Sequence, residues 1–398
     1  MIVYPHLFLF GSGLSVPAGL PSMSAITERV FSGTGICRHA NGNYYLSPPF
    51  NTPADPTRDY LPAILEYISL VGNEIAAFYR GFREYSRNYE DLYYLFSQIR
   101  DSEYGEYENP IVQPFIDKLL PGLEPYLNPT RPGARRFSIG ELTRETCNYI
   151  EDVVWNLLDT SIEDLGYLEF LFTCAKDPDI QNFDIFTLNH DTILEQYLSS
   201  MGLRIIDGFS EPVNNVRYLD LRLFDNPVNS IRLFKLHGSI NWFRFTSRSS
   251  TLAYDDIGIP LEADYWHTRN PNGVMQLPVD GRPMFLVGVF NKILHYTSGL
   301  YADMHYYFHA SLKNISRLVV CGYGWRDKGI NSRIINWLYS NDENLVVLIH
   351  PRPDSCMQNA RGAISNKWDS WLKSNRMKIV TAGAEDISWD IIKGHITC

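Results

Sequence analysis

The feature that most limits the fold of this chain is a series of short apolar, β-rich runs that do not alternate with polar residues. They lie at residues 6–10, 183–188, 204–206, 232–236, 284–289, 317–321, 345–349 and 377–380. A strand with one wet face reads apolar, polar, apolar. A run that is apolar throughout needs cover on both faces, as in a parallel sheet held between two helix layers. Helical periodicity fills several of the gaps, at 191–200, 301–314, 330–340 and 363–374. Strand and helix in alternation predict an α/β protein with a Rossmann-like, doubly wound, mostly parallel sheet.

The stretch from 45 to 180 has a different character. It opens with a Pro-rich segment at 47–62 and continues through long helical patterns at 61–78, 89–99, 111–119 and 138–159. We expect a helical insertion over 45–180, serving as a cap or oligomerisation surface. It would split the sheet domain into residues 1–44 and 181–398. A second, irregular insertion is expected at 247–282, where the content is polar and aromatic.

Composition narrows the class. A chain of 398 residues with 45% hydrophobic and 20% charged residues is globular. Its net charge of −10 argues against a broad nucleic-acid surface. The densest basic stretch, RPGARR at 131–136, reads as a solvated loop because Pro and Gly interrupt it. The aromatic share of 14% suits either stacking surfaces or a large core. Six scattered cysteines, with no CxxC pair and no zinc-type His/Cys spacing, predict no metal site and a reducing cytoplasm. The N-terminal apolar run lacks a basic leader and flows into a Gly-rich turn, so it reads as a buried strand. No stretch approaches 18 apolar residues, so no membrane span is expected.

Four motifs carry the chemistry. Gly11-Ser12-Gly13-Leu14-Ser15-Val16-Pro17-Ala18-Gly19-Leu20-Pro21 follows the first strand and runs toward a helix. That context suits a diphosphate cradle, in which glycines admit close backbone approach and a helix N-terminus supplies N–H donors. The spacing departs from the usual dinucleotide fingerprint, because Val16 stands where a third Gly belongs. In Thr187-Leu188-Asn189-His190-Asp191, Asn189 can hold a ribose hydroxyl or a water. Asp191 can hold a ribose diol or cap the next helix, and His190 reads as structural or exposed. Lys235-Leu236-His237-Gly238-Ser239 offers His237 as a general base with the Gly238 and Ser239 backbone beside it. Cys321-Gly322-Tyr323-Gly324-Trp325-Arg326-Asp327 provides a second backbone cradle at Gly322 and Gly324. Tyr323 and Trp325 there suit either stacking or the core.

The four motifs in this order resemble the sirtuin superfamily, and in particular its bacterial anti-phage branch, whose members hydrolyse NAD+. The resemblance implies an NAD-binding loop at Gly11, Ser12, Gly13, Ser15, Gly19 and Pro21. It implies an Asn-x-Asp motif at Asn189 and Asp191, a catalytic His237, and an adenosine-side loop at Gly322, Tyr323 and Gly324. Three departures set acyl-lysine substrates aside and favour water as the acceptor. Ser22-Met23-Ser24 replaces the deacylases' aromatic–Arg pair, residues 238–283 contain no Cys for a zinc module, and the insertion at 45–180 is foreign to deacylases. The expectation is therefore a cytoplasmic NAD+ glycohydrolase that yields nicotinamide and ADP-ribose. It would be held off by homo-oligomerisation or by a partner such as a HerA-type hexameric ATPase or another defence protein. The competing readings are a non-catalytic NAD or ADP-ribose sensor, and a protein deacylase or ADP-ribosyltransferase.

Overall fold

The protein is described here from a computed structural model covering residues 6–46, 60–80, 87–106, 109–130, 133–160, 162, 164–180, 183–225, 230–247, 256–288 and 291–397. Most of the Pro-rich segment, and Arg131 and Pro132 of the basic stretch, lie outside these residues.

Seven strands form one sheet: β1 (His6–Phe10), β2 (Phe183–Thr187), β3 (Ile205–Ile206), β4 (Ile231–Lys235), β5 (Arg317–Cys321), β6 (Leu345–Ile349) and β7 (Met377–Val380). Their spatial order is β7-β6-β5-β1-β2-β4-β3, and every pairing is parallel. The expected α/β doubly wound architecture is present. From β1 the chain winds outward on one side through β2 and β4. It then crosses back to β5 on the other side of β1 and winds outward to β7. The winding reverses between β1 and β5, and such a switch point opens a crevice at the carboxyl ends of the strands.

The absence of alternation in the strand runs has a direct cause in the packing. Leu7, Leu9, Phe186, Leu318, Val320, Val346 and Leu348 pack on one face, among residues of helices Gly299–Lys313 and Lys328–Ser340. Phe8, Phe10, Ile185, Val319, Cys321, Val347 and Ile349 pack on the other, among residues of helices Glu169–Lys176, Ile193–Ser200 and Trp389–Ile396. Each fully buried large side chain contributes roughly 1.5–3 kcal/mol, so both faces stabilise the sheet. Much of the aromatic content serves this core. Phe186 stacks on Phe234 at 4.5 Å between centroids, and Phe234 on Phe224 at 4.3 Å.

Several expectations are corrected. The run at 284–289 is no strand of the parallel sheet. Its first residues end a long strand, Gln276–Phe285, in a separate antiparallel sheet with Gly238–Ser247, Asp256–Pro260 and Val216–Tyr218. The segment 247–282, expected to be irregular, thus contributes strands. In the neighbouring strand Gly238–Ser247, buried Phe243 and Phe245 flank half-buried Arg244, which is the pattern of a sheet with one wet face. The helix expected at 111–119 runs on to Leu127 through Pro121 and Pro125, because Leu119 and Leu123 continue its buried stripe. The helix expected at 363–374 is reduced to Trp368–Lys373 after a single 3-10 turn.

The chain divides into two compact units. One comprises Met1–Leu20, Ser161–Leu286 and Lys292–Cys398, and the other Pro21–Thr160 and Val287–Asn291. These limits differ from the expected 44/45 and 180/181. Helix Met23–Ser32 belongs with the helical unit: the Tyr149 hydroxyl donates to Val30 O at 3.0 Å, and Tyr89 N donates to Thr27 Oγ1 at 3.1 Å. Helix Glu169–Lys176 belongs with the sheet unit through Phe170, Leu171 and Cys174. Helix Leu61–Tyr79 is, by length and composition, long and apolar enough to cross a membrane, which corrects the expectation that nothing is. Its buried residues Ile64, Tyr67, Ile68, Val71 and Ile75 recur at helical spacing, as in an amphipathic core helix. Cys37, Cys147, Cys174, Cys321 and Cys356 form no disulfides.

Candidate functional site

The four motifs leave the sheet at one level. Phe10 is in register with Thr187 on one side and Cys321 on the other, and Thr187 is in register with Lys235. Gly11, Leu188, Leu236 and Gly322 therefore begin four loops side by side along the carboxyl edge of β5, β1, β2 and β4.

The loops after β1 and β5 meet backbone to backbone. Gly11 N donates to Cys321 O at 3.0 Å and Gly13 N to Gly322 O at 2.9 Å. A Cβ on Gly322 would lie 2.4 Å from Leu14 N, and one on Gly13 would lie 2.7 Å from Gly322 Cα. Gly322 also has a φ of +70°. These glycines are required by the contact between the two loops, in addition to any ligand. Residues Ser12–Leu14 form one 3-10 turn, and helix Met23–Ser32 starts much later than the motif suggested. The amides of Gly13, Leu14 and Ser15 already bond to Gly322 O, Gly11 O and Ser12 O. What the loops leave exposed is Ser12, Gly13, Val16, Gly19 and Gly324. A Cβ on Gly19 or Gly324 would meet nothing within 4 Å, so the backbone there is open to a ligand. Pro21 falls in the helical unit.

Ser15 ties the first two motifs together. Its hydroxyl donates to Asp191 Oδ2 at 2.7 Å and accepts from Asn189 Nδ2 at 2.9 Å. Asn189 Nδ2 also donates to Gly11 O at 3.0 Å. Asp191 uses its second oxygen, at 3.3 Å, to accept from Ile193 N at the start of helix Ile193–Ser200. Of the two sequence readings of Asp191, the contact at the helix start is seen, while its other oxygen bonds to Ser15 of the Gly-rich loop. All three side chains are buried.

His237 follows β4 and is 3% exposed. Its Nε2 lies 2.7 Å from the Tyr296 hydroxyl and 3.2 Å from Asp327 Oδ2. The Tyr296 hydroxyl donates to the same Asp327 oxygen. Burial opposes ionisation of Asp327. The hydrogen bond and charge of His237, with Lys292 and Tyr296, outweigh it and hold the carboxyl well below the ordinary range. Asp327 Oδ1 caps helix Lys328–Ser340 by accepting from Ile330 N at 3.0 Å. His305 stacks on Tyr296 at 3.6 Å, is fully buried, and has no partner at either ring nitrogen. Burial, with smaller effects from His237 and Arg333, pushes its pKa down to about 3, so it is a neutral ring.

Other motif residues are occupied inside the protein. Gly238 has a φ of +78°, and a Cβ there would lie 2.2 Å from Met284 O. Ser239 is fully buried and donates to His190 O at 3.2 Å. The Tyr323 hydroxyl donates to Asn331 Oδ1 at 2.8 Å, and its ring packs against Trp325. The Ser239 hydroxyl and the Tyr323 side chain are thus engaged in internal hydrogen bonds. His190 is buried beside Phe285 and 6.2 Å from the His237 ring. Burial first, then Lys292, His237 and Lys235, keep it well below its ordinary pKa. Lys235 is buried and donates to Asp191 O and, at 2.9 Å, to Glu195 Oε1.

Sequence reasoning missed Tyr296, Asp327 and Lys235. Asp327 stood inside a quoted motif, and its place one residue before a helix was the available signal. Tyr296 comes from a distant segment with no pattern of its own. Cavities of about 330 and 370 Å³ lie away from these residues, near the amino ends of β2 and β4 and beside β3. Neither is lined by Ser15, Asn189, Asp191 or His237, although Glu195 lines the second. Among the described residues no group of three or more His, Cys, Asp and Glu side chains could hold a metal ion.

No model of a known protein family matches the chain, and no curated protein does. Solved structures that align with the chain are distant from it. A triply substituted Sir2 homologue with 2'-O-acetyl ADP ribose aligns at a TM-score of 0.38 and 10% identity, over 98% of this chain and 91% of that one. A Sir2 homologue–NAD complex aligns at 0.36 and 11% identity, over 99% and 90%. A Sir2–p53 peptide–NAD+ complex aligns at 0.36 and 9% identity, over 99% and 94%. At these scores the roles of individual residues rest on this chain's own geometry.

The loop contact predicts unequal costs for adjacent glycines. Gly322→Ala combines left-handed strain with a backbone clash and should destabilise the sheet unit by about 2–4 kcal/mol. Gly324→Ala has open space and should cost under about 1 kcal/mol. Thermal unfolding of both variants checks this, and equal melting temperatures would contradict the loop packing.

Proposed function

We propose that the chain is an NAD+ glycohydrolase that acts at the carboxyl edge of β5, β1, β2 and β4. The observation that carries this reading is the convergence, at one strand level, of a Gly-rich loop, an amide–hydroxyl–carboxylate cluster and a histidine held by a carboxylate. The winding reverses between β1 and β5, where doubly wound sheets take nucleotides. The open backbone at Gly19 and Gly324, with exposed Ser12 and Gly13, suits a diphosphate. The order of the four motifs, which resembles that of NAD+-cleaving sirtuin relatives, supports the same substrate.

In the proposed reaction the bond between ribose C1' and the nicotinamide nitrogen breaks, and its electron pair leaves with nicotinamide. The positive charge that develops on the ribose resembles that in glycoside cleavage. In this reading the charge of Asp191, which is buried, stabilises that centre in a dry setting where electrostatic interactions are strong. Asn189 and Ser15 position the ribose or the incoming water. His237 takes the proton as the water oxygen bonds to C1'. The products are nicotinamide, ADP-ribose and a proton. The lack of cysteines over 238–283 supports water, rather than acyl-lysine, as the acceptor.

An enzyme that consumes NAD+ needs an off state. We infer that this protein works in the cytoplasm in anti-phage defence by abortive infection, and that assembly controls it. The helical unit would supply the interface to further copies or to a HerA-type ATPase or other defence partner.

Two measurements test these readings. Chromatographic assay of nicotinamide release, for the chain alone and with the product of the neighbouring gene, should show hydrolysis by the parent. His237→Ala and Asn189→Ala should each lower turnover about a hundredfold or more; parental turnover in both would overturn the assignment. Light scattering should give a mass that is a multiple of 45.8 kDa, whereas a monomer under every condition would rule out control by assembly.

A further inference from the structure

We propose that Asp327 and Tyr296 are positioning residues for His237, fixing its proton on Nε2 so that Nδ1 is the nitrogen that acts as base. The inference rests on the glycohydrolase reading for its catalytic consequence, but the pairing itself is a property of the resting protein.

The argument starts from the donor inventory. An ionised carboxylate only accepts, and a tyrosine hydroxyl has one proton to give. The Tyr296 hydroxyl donates to Asp327 Oδ2, so toward His237 it can only accept. His237 Nε2 faces that hydroxyl at 2.7 Å and the carboxylate at 3.2 Å. Both neighbours require a donor at Nε2, and this network assigns the tautomer with its proton there. A base whose second nitrogen is held by a carboxylate is oriented, and its protonated form is stabilised as it takes up a proton.

The carboxylate is itself held rigidly. Its Oδ1 caps helix Lys328–Ser340, and Asp327 N donates to the Tyr323 hydroxyl at 3.1 Å. That hydroxyl donates to Asn331 Oδ1, and Asn331 Nδ2 donates to Trp325 O at 2.9 Å. Tyr296 is clamped between His305 and Gly329, where a Cβ would lie 2.6 Å from the Tyr296 ring. Gly329 is therefore needed for Tyr296 to reach Asp327. Such outer support is what fixes the orientation of a functional imidazole.

Several charged and titratable groups among the described residues surround His237. Asp327 and Tyr296 face its Nε2, and His190 lies beside its ring. His305 and, beyond it, Arg333 lie behind Tyr296, while Lys292 and Lys235 act on His190, and Lys292 also on Asp327. Among these Asp327 is the only acid, so removing its charge leaves a set that disfavours the imidazolium.

The test is titration of the histidines in the intact chain, labelled with 15N-histidine and followed by NMR, with His237→Ala assigning the signal. Asp327→Asn keeps a capping side chain and should leave the melting temperature close to that of the parent. Its His237 signal should titrate at lower pH than in the parent, with the Nε2–H tautomer no longer dominant. In the NAD+ hydrolysis assay the same variant should lose about a hundredfold or more in kcat with little change in KM, and its acid limb should move to lower pH. Tyr296→Phe, which leaves the carboxylate in place, should lose much less and keep the parental limb. An unchanged His237 titration in Asp327→Asn overturns the pairing whatever the reaction is. A shifted titration in a parent that hydrolyses no NAD+ upholds the pairing and overturns the proposed function instead.

Discussion

The site depends on the loops after β1 and β5 coming close enough for their backbones to bond. Side chains at positions 11, 13 or 322 would force the loops apart, and Gly322 must also adopt a left-handed conformation. With the loops together, Gly11 O is available to Asn189, and Ser15 stands between Asn189 and Asp191. The parallel register of β5, β1, β2 and β4 extends this alignment to His237. A doubly wound sheet supplies the switch point, while the glycines turn it into a defined surface.

Burial then sets the chemistry. Ser15, Asn189, Asp191, His237 and Asp327 are all nearly covered, so each polar atom has to find a partner inside the protein. Asp327 remains ionised because His237, Tyr296 and Lys292 surround it, whereas His190 and His305 lack an equivalent acid and remain neutral. Among the described residues, His237 alone of these three buried histidines is within salt-bridge distance of a carboxylate. That contrast supports His237 as the proposed base more firmly than its place at a strand end does.

Much of the fold was legible in the sequence, for a physical reason. Runs such as 345–349 are apolar throughout because both faces of β6 are covered, and that pattern survives without any knowledge of partners. The antiparallel sheet escaped because its strands alternate and are broken by irregular turns, as at Pro278 and Pro283, where the register shifts. The compact units differ from the expected limits because helix Met23–Ser32 follows the first motif in sequence but packs with distant Tyr89 and Tyr149. At the site, Asn189, Asp191 and His237 were readable as polar residues at strand ends. The commitment of Ser239 and Tyr323 to internal hydrogen bonds was not readable, and nor was the arrival of Tyr296 beside His237. Both depend on contacts between segments far apart in the chain.

The central claim is that a dinucleotide lies across the two Gly-rich loops with its reacting ribose toward Asn189 and His237. A crystal structure of the His237→Ala variant with NAD+ tests it most directly. The account predicts the diphosphate beside Ser12, Gly13 and Gly324, and the nicotinamide ribose within hydrogen-bonding reach of Asn189 or Asp191. Density for the dinucleotide at another place would contradict it, for instance in the cavity lined by Lys176, Arg204 and Ser230 near the amino ends of β2 and β4.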